Sequence, residues 1–158
     1  MPDQIVGLGT RFYRVMGSAF GRNVLTPIAS AYTGERRANQ ALDDIFAADP
    51  VPEGYLEHVG IGLAVRPSQV NVNIAMVNAL LPQITEQSKR YGELKMPVEI
   101  VHGTADQTVG YDIHAVPLSK QVKSARLTTL NGIGHMPHHS AQARTFDALR
   151  RLAKRAGL

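Results

Sequence analysis

Up to residue 95 the apolar positions recur mostly at helical spacing, and after Pro97 they change to short β-branched runs. In "ERRANQALDDIFA", residues 35–47, Ala38, Ala41, Leu42, Ile45 and Phe46 fall at the i, i+3, i+4, i+7 and i+8 positions of one helical face. The stretch "DPVPEGY" then breaks the pattern. A second helix is predicted from Pro67, whose fixed φ and missing N–H suit a first helical position, through "SQVNVNIAMVNALL" to a break near Pro82. The more polar "QITEQSKRYGEL" follows it. Nearer the N-terminus, "RFYRVMGSAFG" and "VLTPIASAY" read as short helices, because Gly17, Gly21 and Pro27 interrupt any long one.

Beyond Pro97, "VEIVHG" and "ARLTTL" read as two strands, each with a loop behind it. Between them, "YDIHAVPLSKQVKS" supplies a helix expected to start at Pro117, since a proline inside a helix removes a hydrogen bond and clashes with the preceding turn. Strand, helix and strand of this length imply a right-handed βαβ crossover and a parallel pair. In the tail, Phe146, Leu149, Leu152, Ala153 and Ala156 recur at helical spacing and are expected to cover one sheet face. Arg144, Arg150, Arg151, Lys154 and Arg155 are left to the other faces or the C-terminus. The fold class is therefore α/β, with a helical region over 1–95 and a βαβα unit over 96–158. Two strands make a poor parallel sheet, because such sheets are buried on both faces, so either further strands are supplied from elsewhere or the first half contains strands that its pattern does not reveal.

Composition narrows the chemistry. At 158 residues with 44% hydrophobic content, the chain has the size of one globular domain. It has no cysteine, which excludes disulfides and thiolate catalysis and leaves only His and carboxylates for a metal. No stretch is apolar enough to span a bilayer, and "MPDQIVGLGT" lacks the marks of a signal peptide, so a soluble, cytoplasmic protein is expected. The formal charge of +4 is concentrated in the tail helix, where cations complement the helix dipole. Without interleaved aromatic residues or a recognition motif, that charge does not indicate a nucleic-acid partner.

The informative feature is a pair of loops, "HGTADQTV" after the first strand and "GIGHMPHH" after the second. Parallel strands bring the loops at their carboxyl ends together at one edge, where open α/β folds place their sites. Asp106 and His135 would meet there, as a carboxylate orienting an imidazole, which is the support half of a nucleophile–His–acid triad. Each also has a plain reading, Asp106 as a turn aspartate and His135 as a loop histidine. His138 and His139, with Ser140 as an N-cap, belong to the mouth of the tail helix. A metal site is not expected, because Gly134 and Pro137 prevent the helix that would align His135 with His139. His102 and Met136 are candidates to line a substrate pocket, whereas His58 and His114 carry no motif. "GLGT", Gly7 to Thr10, lacks the strand and lysine of a phosphate loop.

With these residues in view, "PVEIVHGTADQTV" resembles the strand and acid-bearing loop of the α/β-hydrolase superfamily, and "ARLTTLNGIGHMPH" resembles its last strand and histidine loop. Upstream, "ADPVPEGY" and "VRPSQ" resemble the cap domain of a bacterial branch of that superfamily. The resemblance implies a helical cap, with residues of about 10 to 92 as a lid, followed by the last βαβα of an incomplete hydrolase sheet. It implies Asp106 as triad acid and His135 as general base in hydrolysis of a small ester or a related acyl or carbon–heteroatom bond, with no cofactor. The family's nucleophile elbow is G-x-S-x-G, and none of the seven serines is so flanked. The nearest, Ser18 in "GSAFG", has no strand before it and reads as a small-residue helix contact. The family's oxyanion-hole loop is not found either. The resemblance is thus to the C-terminal part of such an enzyme, with its serine outside this chain. The expected partner is a complementary N-terminal half or a second copy, and the alternative is an inactive fragment or interaction module.

Overall fold

The computed structural model describes residues 9–32, 35–60, 63 and 65–158. They form two compact units, one drawn from Met1–Asn39 and Gly54–Lys89 and the other from Gln40–Glu53 and Arg90–Leu158. No helix among the described residues is long and apolar enough to cross a membrane.

The first unit is helical. It contains α1 (Gly9–Met16), a π-helical turn (Gly21–Leu25), α2 (Thr26–Tyr32), the start of α3 (Glu35–Ile45), α4 (Tyr55–Val59) and α5 (Pro67–Ser88). Helices α1 and α2 pack on α5, with Met16 and Ile74 buried. Gly17 stands where a Cβ would lie 2.7 Å from Asn78 Nδ2, which itself donates to the Tyr13 carbonyl at 2.9 Å. The fully buried Thr26 donates through Oγ1 to the Gly21 carbonyl and closes the π-helical turn. Helix α5 does not break at Pro82 but runs for 22 residues to Ser88, taking in half of the polar segment expected to follow it. The proline removes the single backbone bond that its N–H would have made to Asn78, and the helix continues across that gap.

The second unit begins with the end of α3, where Phe46 is 1% exposed, Leu42 and Ile45 are half-buried and Ala41 faces solvent. After a 3₁₀ turn (Tyr91–Glu93) come β1 (Val98–Gly103), α6 (Tyr111–Gln121), β2 (Ala125–Leu130), α7 (Pro137–Ser140) and α8 (Gln142–Ala156). The strands are parallel, in register from Val98↔Ala125 to Gly103↔Leu130, and form a two-stranded sheet among the described residues. The architecture of the chain is therefore mixed α/β. Strand alternation puts Ile100, His102, Leu127 and Thr129 on the face of α6 and Glu99, Val101 and Thr128 on the face of α8. Tyr111 of α6 accordingly meets Thr129, and Arg151 of α8 meets Thr128. Ala115, Val122, Leu130 and Ala148 are buried in this unit.

Two expectations about these helices need correction. Helix α6 starts at Tyr111 rather than Pro117, with the Gly110 carbonyl accepting from the Ile113 and His114 amides. Pro117 lies inside it, at a cost of about 3 kcal/mol, and the helix continues to Gln121 with Ala115 buried. Helix α8 is rotated from the expected face, with Phe146 57% and Leu149 54% exposed. Its inward line contains Ala148 together with Arg151 and Arg155, which bond Glu99, a β1 carboxylate with 3% of its side chain exposed. Arg155 also donates to the Val98 and Ser124 carbonyls. A carboxylate taken out of water needs partners more than two aromatic or aliphatic side chains need burial, and that decides the rotation.

Removing both arginines should leave Glu99 buried and unpaired. Arg151→Ala/Arg155→Ala is expected to lower unfolding free energy by about 3–5 kcal/mol, read from urea midpoints, with Glu99→Gln in the same background recovering part of the loss.

Candidate active site

The site is built where β1 and β2 end. Gly103 closes β1 at a point where a Cβ would lie 2.0 Å from the Ile133 carbonyl oxygen, so only glycine lets the second loop press onto the first strand. The two loops are then joined bond by bond. The Thr104 amide donates to Leu130, the Gly132 amide to Thr104 Oγ1 and the Ala105 amide to Ile133, at 2.9–3.0 Å. Gly132 adopts φ 74°, a left-handed turn that favours glycine.

These loops bring Asp106 and His135 together. Asp106 Oδ1 accepts the Thr108 and Val109 amides, each at 2.8 Å, in a turn closed by its own side chain. Asp106 Oδ2 lies 2.9 Å from His135 Nδ1. A carboxylate only accepts, so Nδ1 carries the proton and, in the neutral ring, Nε2 is the basic atom. The carboxylate is 5% exposed and the imidazole 30%, an arrangement with the acid enclosed and the base within reach of a reactant. Burial by itself would raise the pKa of Asp106. The Val109 amide, the His135 hydrogen bond, the Thr108 amide and the His135 charge together outweigh burial and hold the carboxyl below its ordinary value of 3.8.

A carboxylate with a lowered folded pKa binds fewer protons than the unfolded chain, so it adds stability above pH 3.8, and that stability is lost as pH falls through the folded pKa. Asp106→Asn should remove this part of the acid-induced loss. Urea midpoints measured from neutral pH downwards should fall less steeply in the variant than in the wild type.

The other candidates lie as follows. The His102 side chain is 13% exposed, with Nδ1 2.9 Å from the Gly103 carbonyl and Nε2 3.6 Å from Asp106 Oδ2, too long for a hydrogen bond but within ion-pair range. Its ring meets Tyr111 edge-on. Met136 is half-buried ahead of α7, and its carbonyl accepts from the His139 and Ser140 amides. The His138 and His139 rings are tilted 49° to each other with centroids 4.4 Å apart. The His138 pKa is held below the usual imidazole value by desolvation first and then by the charges of His139 and His135. Among the described residues, no group of three or more His, Cys, Asp or Glu is placed to hold a metal ion.

Ser18 donates through Oγ to the Val15 carbonyl and accepts the Gly21 amide, so its hydroxyl shapes the bend after α1. Ser119, Ser124 and Ser140 likewise donate to backbone carbonyls. Of "GLGT", Gly9 and Thr10 open α1, while Gly7 and Leu8 lie outside the described residues. His58 is exposed on α4 and His114 half-buried on α6.

One participant was not foreseen. Asp49 Oδ2 accepts the Gly134 amide at 2.8 Å, directly before His135. In the sequence, Asp49 shows only as part of a helix-ending "DP" dipeptide. Compared with family models, curated proteins and solved structures, the chain finds no match.

Proposed function

We propose that this chain contributes the acid and the general base of an α/β-hydrolase-type enzyme acting on an ester or a related acyl or carbon–heteroatom bond. The Asp106–His135 hydrogen bond at the ends of adjacent parallel strands carries this reading. In the proposed reaction His135 Nε2 takes the proton of a serine hydroxyl as its oxygen attacks the substrate carbonyl. Asp106 holds the ring in the required tautomer and stabilises the imidazolium. His135 then returns the proton to the leaving group. The serine comes from outside this chain, in a complementary polypeptide that also adds strands to the sheet. On this reading the region up to residue 95 is cap or lid, and 96–158 is the C-terminal βαβα of the core.

A second reading is an interaction module of the same fold that has no catalytic role. The exposure of Ile113, Phe146 and Leu149 in the second unit favours it. Ester turnover separates the two. The chain alone should hydrolyse p-nitrophenyl acetate no faster than its His135→Ala variant, and turnover should appear when the chain is joined to, or co-expressed with, a serine-bearing polypeptide encoded upstream of Met1. An extended or complemented protein that stays inert would favour the interaction module.

A further inference from the structure

We infer that Asp49 is a positioning residue for His135, a role that builds on the general-base reading of that histidine. The loop from Leu130 to His135 is fastened one contact after another: Leu130, Gly132 and Ile133 bond Thr104 or Ala105, and His135 bonds Asp106. Gly134 interrupts this series, because its amide donates to Asp49 Oδ2, 85 positions earlier in the chain. The carboxylate therefore holds the peptide from which the His135 side chain departs.

Asp49 is itself held. Its amide donates to the Phe46 carbonyl, and Phe46 is buried with its ring 5.8 Å from that of His139. The turn after α3 thus holds the histidine-bearing segment twice, at Gly134 and at His139. Glycine at 134 suits this grip, since a Cβ there would lie 2.8 Å from Asp49 Oδ2 and 3.2 Å from Ala48 Cβ and would push the carboxylate off the amide it accepts. The backbone of Gly134 does not have positive φ, so the obstacle to a larger residue is the Asp49 contact and not the turn. A hydrogen bond to an ionised acceptor aimed at one peptide is a stronger constraint on direction than apolar packing of the same loop.

The test compares the wild type, Asp49→Ala, Asp49→Asn, Asp49→Leu, Gly134→Ala and the Asp49→Ala/Gly134→Ala double variant. Long-range ¹H–¹⁵N spectra read the His135 tautomer, and hydrogen exchange reads the Gly134 amide. Wild type should show His135 protonated at Nδ1. Asp49→Ala should mix the tautomers and speed Gly134 exchange by roughly tenfold or more, the worth of one charge-assisted hydrogen bond. Asp49→Asn keeps an acceptor oxygen and should restore most of both signals, whereas Asp49→Leu, which fills the same space without an acceptor, should leave the tautomers mixed and Gly134 exchange fast. Gly134→Ala should also mix the tautomers, and should do so less when Asp49 is already alanine.

A folded Asp49→Ala protein with wild-type His135 spectra and unchanged Gly134 exchange would overturn the inference. If Asp49→Ala does not fold, wild-type His135 spectra in Gly134→Ala, or an Asp49→Asn protein with mixed tautomers, would do so. These signals are read on the chain itself. Failure of ester turnover would remove the hydrolase reading while leaving the Asp49 result standing.

Discussion

With a serine nucleophile supplied by a complementary polypeptide, His135→Ala should reduce ester turnover by a factor on the order of 10⁶. On the proposed mechanism the effect is this large because the imidazole would handle the proton twice, accepting it from the serine and delivering it to the leaving group, and His135 is the one histidine hydrogen-bonded to Asp106 among the described residues. His102 holds its Nδ1 against the Gly103 carbonyl, and the His138 ring lies against that of His139. His138→Ala should therefore cost far less than His135→Ala. His139→Ala should also cost less, although the loss of its contact with Phe46 loosens α7. A metal site would behave differently, losing function with more than one histidine and on addition of chelator. Steady-state hydrolysis of p-nitrophenyl acetate by the three variants, with and without chelator, checks the contrast.

Asp106→Asn should be the second most damaging change, reducing turnover by a factor on the order of 10⁴. Its oxygen can still accept the Thr108 and Val109 amides, which keeps the turn. The amide nitrogen then faces His135 Nδ1 and donates to it, so the ring proton moves to Nε2, the atom that on the proposed mechanism accepts from serine. The prediction is a folded protein with the wrong tautomer, not an unfolded one. It is checked by combining turnover with thermal melting at neutral pH, and by a kcat loss much larger than any change in KM.

The two strands and their loops were legible because the signals are local: β-branched runs, glycines behind them, and one acid and one histidine at matching places. The hydrogen bond between Asp106 and His135 then follows from parallel pairing over six residues of β1 and six of β2. Pro82 and Pro117 were misread for a physical reason. A proline inside a helix removes one backbone bond and crowds the preceding turn, and α5 and α6 keep the helical course on either side of it and run through. Arg151 and Arg155 read as solvated charges because their helix gives no sign of Glu99, which becomes a buried carboxylate only once α8 lies on β1. Asp49 was invisible for the same reason at longer range. Nothing near "DP" indicates an amide 85 positions later, although the glycine at 134 is the mark that contact leaves in the sequence.

The central claim is that the base resides in this chain and the nucleophile in another, and acyl transfer separates the two directly. The complemented protein is mixed with p-nitrophenyl acetate, quenched during the first turnover and analysed by intact and peptide mass spectrometry, with His135→Ala in parallel. The account predicts one acetyl group on a serine of the complementary polypeptide, formed only when His135 is present, and none on the seven serines of this chain. Acetyl found on Ser18 or another serine of this chain, or an acetyl-serine that forms equally well without His135, would contradict it.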